Sequence, residues 1–275
     1  ILSFKTKMNA ISDEVLRGTL QAVAEAESRY KALVVWQLEE PFSVGANLSQ
    51  VAEGLQAGAF EQLEATVARF QEATGSLRRA RIPVVGAVNG LALGGGCEYL
   101  MHCDRVVAGL ESYIGLVEAG VGLIPAGGGC RELALRAARQ AVDGDVQPYI
   151  QKVFEFLAKG QVAKSAVLAQ RAGLLRDSDI VVMNPQEVLY VALKQAEALA
   201  QSGYRPPPED SVAVAGRNVL ATLRTVLVNM REGGFISAYD YQVGSAVAEA
   251  LCGGELEPGT RVSQTYLLEL ERRLF

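Results

Sequence analysis

Apolar positions along this chain switch repeatedly between short branched runs and helical spacing, and that alternation predicts its elements. Residues 1–4 (I-L-S-F) read as a strand. Ser12 then stands as an N-cap, with Asp13 and Glu14 in the first turn of a helix to about Arg29. Residues 32–38 (A-L-V-V-W-Q-L) form a buried strand, and P-F-S-V-G-A-N-L ends a strand in a loop of small residues. Phe60, Leu63, Val67, Phe70 and Leu77 hold a helical period over 59–79. Ile82, Val84, Val85 and Val88, bounded by Pro83 and by Asn89-Gly90, make the next buried strand. A helix over 97–103 and a short strand over 105–109 follow. Strand, helix, strand, helix, strand is the order of an α/β fold.

Further along, Y-I-G-L-V-E-A-G-V brings Glu118 into apolar company, and L-I-P-A-G-G-G-C-R-E-L reads as a glycine-rich turn. Helices are expected over 149–160, over 161–176 with a stop at Gly173, and over 185–202, with an edge strand at 180–183. Pro206-Pro207-Pro208 is the only linker-like punctuation. It divides a core, 1–205, from a helical C-terminal region, 206–275, in which Val219, Leu223, Leu227 and Met230, then Val243, Val247 and Leu251, recur at helical spacing. Such faces must cover the chain's own core or a second copy, which predicts a homo-oligomer.

Composition narrows the function. The chain has 275 residues, 49% of them hydrophobic, with a mean hydropathy of +0.16, enough for a sizeable core. A net charge of −5 with scattered Lys and Arg gives no footprint for nucleic acid or an anionic membrane. Apolar runs are short and broken by charges, so no membrane segment is expected, and the start lacks a signal-peptide layout, which predicts a cytoplasmic protein. Cys97, Cys103, Cys130 and Cys252 form no C-x-x-C pair and the one histidine is His102, so buried reduced thiols are expected rather than a metal site. His102 and the tail tyrosines Tyr239, Tyr241 and Tyr266 read as packing or interface groups. Ile1 opens inside an apolar run and Phe275 closes a helical pattern, so the chain is expected to be an excised piece of something longer.

The candidate chemistry lies in two glycine loops and two carboxylates. Gly94, Gly95 and Gly96 between strand and helix let backbone approach a ligand closely, and Glu98 follows on the first helical turn. Gly45, Ala46 and Asn47 offer a second set of N–H groups. Two converging N–H groups make an oxyanion hole, suited to the enolate-like charge of a thioester attacked in conjugation. The same features also describe an ordinary turn followed by a solvated glutamate. Glu118 either faces solvent or sits in a low-dielectric pocket that fits it for proton transfer. The chain has no G-x-S-x-G elbow, P-loop or strand-to-helix G-x-G-x-x-G.

F-S-V-G-A-N-L, then I-P-V-V-G-A-V-N-G-L-A-L-G-G-G-C-E, then the Glu118 segment with I-P-A-G-G-G, resembles the crotonase superfamily, and within it the enoyl-CoA hydratases. The resemblance covers most of residues 1–200. It implies a spiral of strand-strand-helix turns with a helical C-terminal region, commonly trimeric. It also implies that the amides of Ala46 and Gly95 bind the thioester oxygen, that Glu98 activates water and that Glu118 delivers the α-proton. Ser43, Gly45 and Gly94 fall in the substrate-binding segments, and K-M-N-A resembles the coenzyme A segment, so Lys7 is expected near that moiety. Coenzyme A is then part of the substrate and no separate cofactor is implied. The opening and the tail look most like the hydratase portion of larger dehydrogenase–hydratase fusions, with a partner domain implied. Asn47 stands where the family often has Asp, Cys130-Arg131 where Thr-Gln is frequent, and the usual first strands are absent or shortened. The expected activity is hydration of a trans-2-enoyl-CoA in fatty-acid β-oxidation; the alternatives are an enoyl-CoA isomerase and a catalytically idle scaffold.

Overall fold

A computed structural model describes residues 1–275. In chain order the elements are α1 (Asp13–Arg29), β1 (Leu33–Val35), α2 (Leu48–Gln56), α3 (Phe60–Arg79), β2 (Val84–Val88), β3 (Leu91–Leu93), α4 (Gly95–Met101), β4 (Arg105–Gly109) and β5 (Tyr113–Gly115). Then come α5 (Gly129–Gln140), α6 (Gln147–Ala158), α7 (Ala166–Ala172), β6 (Ile180–Val182), α8 (Val188–Gln201), β7 (Val212–Ala213), α9 (Gly216–Glu232), α10 (Ala238–Cys252), β8 (Arg261–Val262) and α11 (Gln264–Leu274). Short 3₁₀ turns occupy Lys7–Asn9, Glu118–Val121 and Pro185–Glu187. No helix is long and apolar enough to cross a membrane. Two compact units result: Ile1–Gly115 with Val162–Pro207, and Leu116–Gln161 with Pro208–Phe275. The expected cut at 205/206 lies beside one junction, but the sequence pattern leaves 116–161 with the core, whereas here that segment belongs with the tail.

The first unit is built on a parallel sheet in the order β1-β2-β4-β6 and a second parallel pair, β3-β5. Its register explains the spiral. β2 pairs with β4 from Val85↔Arg105 to Val88↔Ala108, while β3 pairs with β5 from Leu91↔Tyr113 to Leu93↔Gly115. Each turn of chain therefore lays one strand in the large sheet and the next in the small one. The preceding turn does the same with β1 and Ser43, which bridges Ala92. Residues 1–4 are not a strand: a single bridge, Leu2↔Val35, is all that pairs there. Leu2 N donates to Val34 O and Leu2 O accepts from Trp36 N, and with no neighbouring residue continuing the pattern the ladder has no length.

Every residue of β2 is buried, which is why the strand reads as a continuous apolar run. Val34, Val85, Ala87 and Val107 pack there with Val188, Ala192 and Ala196 of α8. Helix α1 begins where expected, Ser12 Oγ accepting from Val15 N, and packs on α3. Helix α2 was not among the expected elements although Leu48, Val51 and Leu55 recur at helical spacing; none of its residues is buried, and Asn47 caps it by accepting from Ser49 N at 3.2 Å.

The second unit is mostly helical, as the tail's spacing predicts, with α10 packed on α9, α6, α5 and α11. Two features depart from the expectation. β7 and β8 form a short antiparallel pair, and the glycine-rich turn runs directly into α5 rather than a loop. The side chain that makes this possible is Glu271 of α11, fully buried, whose carboxylate accepts from Gly128 N at 2.9 Å and from Arg131 N. It satisfies donors at the start of α5, where the residues themselves offer no side-chain cap. Arg131, also buried, donates from Nη1 to Gln264 Oε1 at 3.0 Å. Replacing Glu271 by alanine orphans two buried N–H groups and is expected to cost about 2–4 kcal/mol. Urea unfolding should show the midpoint fall at constant slope; an unmoved midpoint would mean that α5 does not depend on this carboxylate.

Candidate active site

The Gly45 and Gly94 loops meet within the first unit. Ile11 N donates to Gly45 O at 2.8 Å and Asn47 N to Ile11 O at 3.3 Å, which fixes one loop. Ser43 N donates to Leu91 O and Leu93 N to Ser43 O, both at 3.0 Å, which ties that loop to β3 and so to the glycines after it. The approach is so close that a methyl group at Gly45 would lie 2.7 Å from Leu93 O and 3.1 Å from Gly95 N, and Gly45 has φ +89°. Only glycine satisfies both conditions. Gly95 has no more room on its other side, where a methyl group would collide with Cζ of Phe70.

Four loop amides were candidates, and their bonding separates them. Gly45 N donates to Ser43 Oγ at 3.1 Å and Gly94 N to Gly115 O at 2.8 Å. The N–H groups of Ala46 and Gly95 donate to no group of the protein. Ala46 is half-buried and Gly95 buried. Ser43 itself is fully buried with its hydroxyl committed on both sides, donating to Asn9 O at 2.7 Å and accepting from Gly45 N. It shapes the loop.

The K-M-N-A segment is stitched to the same loop. Asn9 Nδ2 donates to Pro41 O at 2.7 Å, and Val44 N donates to Met8 O at 3.4 Å. These bonds hold Met8 (φ +56°) and Asn9 (φ +52°) in the left-handed region, which costs a residue with a Cβ about 1–3 kcal/mol. Lys7 stands on this segment with its side chain exposed.

Glu98 lies on the first turn of α4, 3% exposed, its N–H bonded to Gly94 O at 3.0 Å. A helix of seven residues has little stability of its own, and here its surroundings supply it. Arg176 donates to Met101 O and Cys103 O, both at 2.8 Å, placing a guanidinium on the carbonyls that end α4. Asp179 fixes that arginine's backbone, accepting from Arg176 N at 2.6 Å, and accepts from Val106 N at 2.8 Å. Tyr99, beside Glu98, is fully buried between Phe4 and Phe70 in edge-to-face contacts of 5.5 and 5.9 Å. Thr19 Oγ1 donates to Val15 O, so the Tyr99 hydroxyl donates to Thr19, 3.0 Å away; burial pushes that phenol well above its ordinary pKa. Sequence reasoning passed over Arg176, because nothing in its local pattern marks the α4 carbonyls as its target.

His102 is a packed residue. It is buried, and its Nδ1 lies 2.6 Å from Glu98 O; a carbonyl only accepts, so the proton is on Nδ1. The four cysteines are buried free thiols, and loss of solvation pushes Cys252 up to about 12. No cluster of three or more His, Cys, Asp or Glu side chains is arranged to hold a metal ion.

Glu118 belongs to the second unit and opens the 3₁₀ turn Glu118–Val121. It is half-buried, between the two options that its apolar neighbours left open. The turn closes through Gly122 in the left-handed region, with Leu123 N donating to Glu118 O at 3.0 Å.

The enoyl-CoA hydratase/isomerase family model matches residues 2–147, just over half of the chain. The chain belongs to that family. It is 36% identical over all 275 residues to a Bacillus subtilis protein described as probable 3-hydroxyacyl-CoA dehydrogenase, spanning 35% of that protein's length. A Rhizobium meliloti protein described as probable enoyl-CoA hydratase is 31% identical over 193 residues, 70% of this chain and 66% of that protein. Thus the chain spans about a third or less of the first relatives it matches and about two thirds of the hydratase-named one. Among solved structures, an enoyl-CoA hydratase from Polaromonas sp. JS666 aligns over 90% of this chain and 84% of its own, with TM-score 0.59 and 21% identity, a likeness of fold. The crotonase fold expected from the sequence is the fold found, its spiral carried by the β2-β3 and β4-β5 turns.

The contact between Gly95 and Phe70 gives a stability test. Gly95→Ala must displace the ring and is expected to cost about 1–3 kcal/mol, with part recovered when Phe70→Leu is added. Melting temperatures of the single and double variants measure this; equal melting of Gly95→Ala and the parent would refute the packing.

Proposed function

We propose that this chain is an enoyl-CoA hydratase, adding water across the double bond of a trans-2-enoyl-CoA. The observation that carries the reading is the bonding pattern of the two loops. Of the four amides, Gly45 and Gly94 are used internally, while Ala46 and Gly95 are left to donate, and the loops that bear them touch. Two such donors on a thioester carbonyl stabilise the enolate oxygen as water attacks C3. Glu98, three residues after Gly95, takes the proton of that water; Glu118, on the second unit, delivers a proton to C2. The addition leaves Glu98 protonated and Glu118 ionised; Glu98 then releases its proton to solvent and Glu118 takes one up, so the net change is one water added to the substrate. Lys7, exposed on the segment stitched to the Gly45 loop, contacts the coenzyme A moiety. Coenzyme A comes and goes as part of the substrate, and the proposed reaction calls on no redox cofactor.

The full-length likeness to a dehydrogenase-named protein almost three times as long supports a second part of the proposal, that this chain works as the hydratase portion of a dehydrogenase–hydratase fusion. Exposed apolar side chains on the second unit, Phe235 at 81% and Val142 at 68% among them, support assembly, proposed as a homotrimer. Light scattering at micromolar concentration should return three times the 29.3 kDa chain mass; a monomer would remove the trimer from the proposal.

Loss of the conjugated thioester absorbance of a short enoyl-CoA tests the reaction itself. Glu98→Gln should lose hydration by about two to four orders of magnitude while keeping some α-proton exchange, and Glu118→Gln should lose both. Parent rates in both variants would return the two residues to structural roles.

A further inference from the structure

The turn that carries Glu118 is poorly equipped to hold its own shape. E-A-G-V-G has two glycines in five residues, each with a large backbone entropy to lose, and no residue of the 3₁₀ turn is fully buried. Backbone bonds tie it to itself only locally: Gly120 N to Val117 O, Gly122 N to Ala119 O and Glu118 O, and Leu123 N to Glu118 O. Groups packed on the turn from outside therefore add to what fixes the backbone that carries the carboxylate.

We infer that Tyr239 of α10 is a positioning residue for Glu118. Its hydroxyl donates to Gly122 O at 2.9 Å, the carbonyl of the residue that closes the turn. Its ring lies against the same residue, since a methyl group at Gly122 would sit 2.7 Å from Tyr239 Cε1. Gly122 is thus required twice over, for its φ of +80° and for the space the tyrosine occupies. The tyrosine has a rigid mount. It is the second residue of α10, whose first turn is locked by a reciprocal capping box: Asp240 N donates to Ser237 Oγ at 3.1 Å and Ser237 N to Asp240 Oδ2 at 2.9 Å. From the other side the turn meets Gly160 at the end of α6, where a methyl group would lie 3.2 Å from Gly120 N. Between Gly160 and Tyr239 the turn has one place to be. Tyr239 is itself 58% exposed, so burial of its ring is a weak reason for its presence and the bond to Gly122 a stronger one.

The inference rests on Glu118 serving the proposed reaction, and the test separates the two. In the 275-residue chain, Tyr239→Phe keeps the ring and removes the bond. Hydrogen exchange of the 118–123 amides should quicken about three- to tenfold with the rest of the protein unchanged. With a short enoyl-CoA, kcat for hydration and for α-proton exchange should fall together by a similar factor, KM staying within twofold and the melting temperature unchanged. If exchange at 118–123 does not change, the tyrosine does not pin the turn and the inference is overturned. It is also overturned if Tyr239→Phe keeps the parent kcat while Glu118→Gln is inactive, a result that leaves the hydratase reading standing. If both variants hydrate at the parent rate, the hydratase role of Glu118 falls, and the positioning role with it.

Discussion

The first unit depends on one close approach, that of the Gly45 loop to the backbone of Gly94 and Gly95. There is no space there for a side chain: a methyl group at Gly45 would press on Leu93 O and Gly95 N, and one at Gly95 would strike Phe70. Because the loops pack backbone to backbone, their polar groups have to be apportioned. Gly45 N goes to Ser43 Oγ, Gly94 N goes to Gly115 O, and two donors remain. A side chain at Gly45 would force the two loops apart. The requirement is geometric before it is chemical.

That approach is maintained by groups remote from it. Ser43 links β3 to the K-M-N-A segment, and Asn9 ties the same segment to Pro41. Arg176 closes α4 from the far end, its guanidinium donating to three carbonyls, those of Met101, Cys103 and Asp104. Tyr99 wedges α4 against Phe4 and Phe70. Phe70 is the link between the two descriptions: one face of the site's packing, through Tyr99, and its steric limit, through Gly95. Rigidity around Glu98 therefore comes from packing and helix-end bonds, not from helix propensity.

The second unit solves a different problem with the same means. Its glycine-rich turn could not start a helix unaided, since Gly128 offers no capping side chain, and Glu271 reaches in from α11 to accept the exposed donors. The turn bearing Glu118 is likewise glycine-rich and is completed from outside, by Tyr239 and Gly160. In both places flexible backbone is specified by a residue more than a hundred positions later in the chain or on a helix packed over it.

What the sequence determined by itself was whatever depends on near neighbours. Ser12 caps α1 because its hydroxyl reaches an amide three residues on, Gly173 stops α7 because it takes the left-handed conformation there, and β2 reads as a strand because all five of its residues are buried. The motif around Gly94–Glu98 was legible for the same reason, as was the fold family. The tertiary structure alone decided the rest. Helix α2 repeats Leu48, Val51 and Leu55 at helical spacing, yet that face is not buried, so its place is set by the fold and not by a core stripe. The 116–161 segment packs with the tail, a grouping set by partners such as Glu271, 143 residues from the amide of Gly128 that it accepts. The resemblance singled out the amides of Ala46 and Gly95, but the bonds that occupy the other two come from the fold: Gly94 N is claimed by Gly115 O, 21 residues on, and Gly45 N by Ser43 Oγ only because the loop turns that hydroxyl inward.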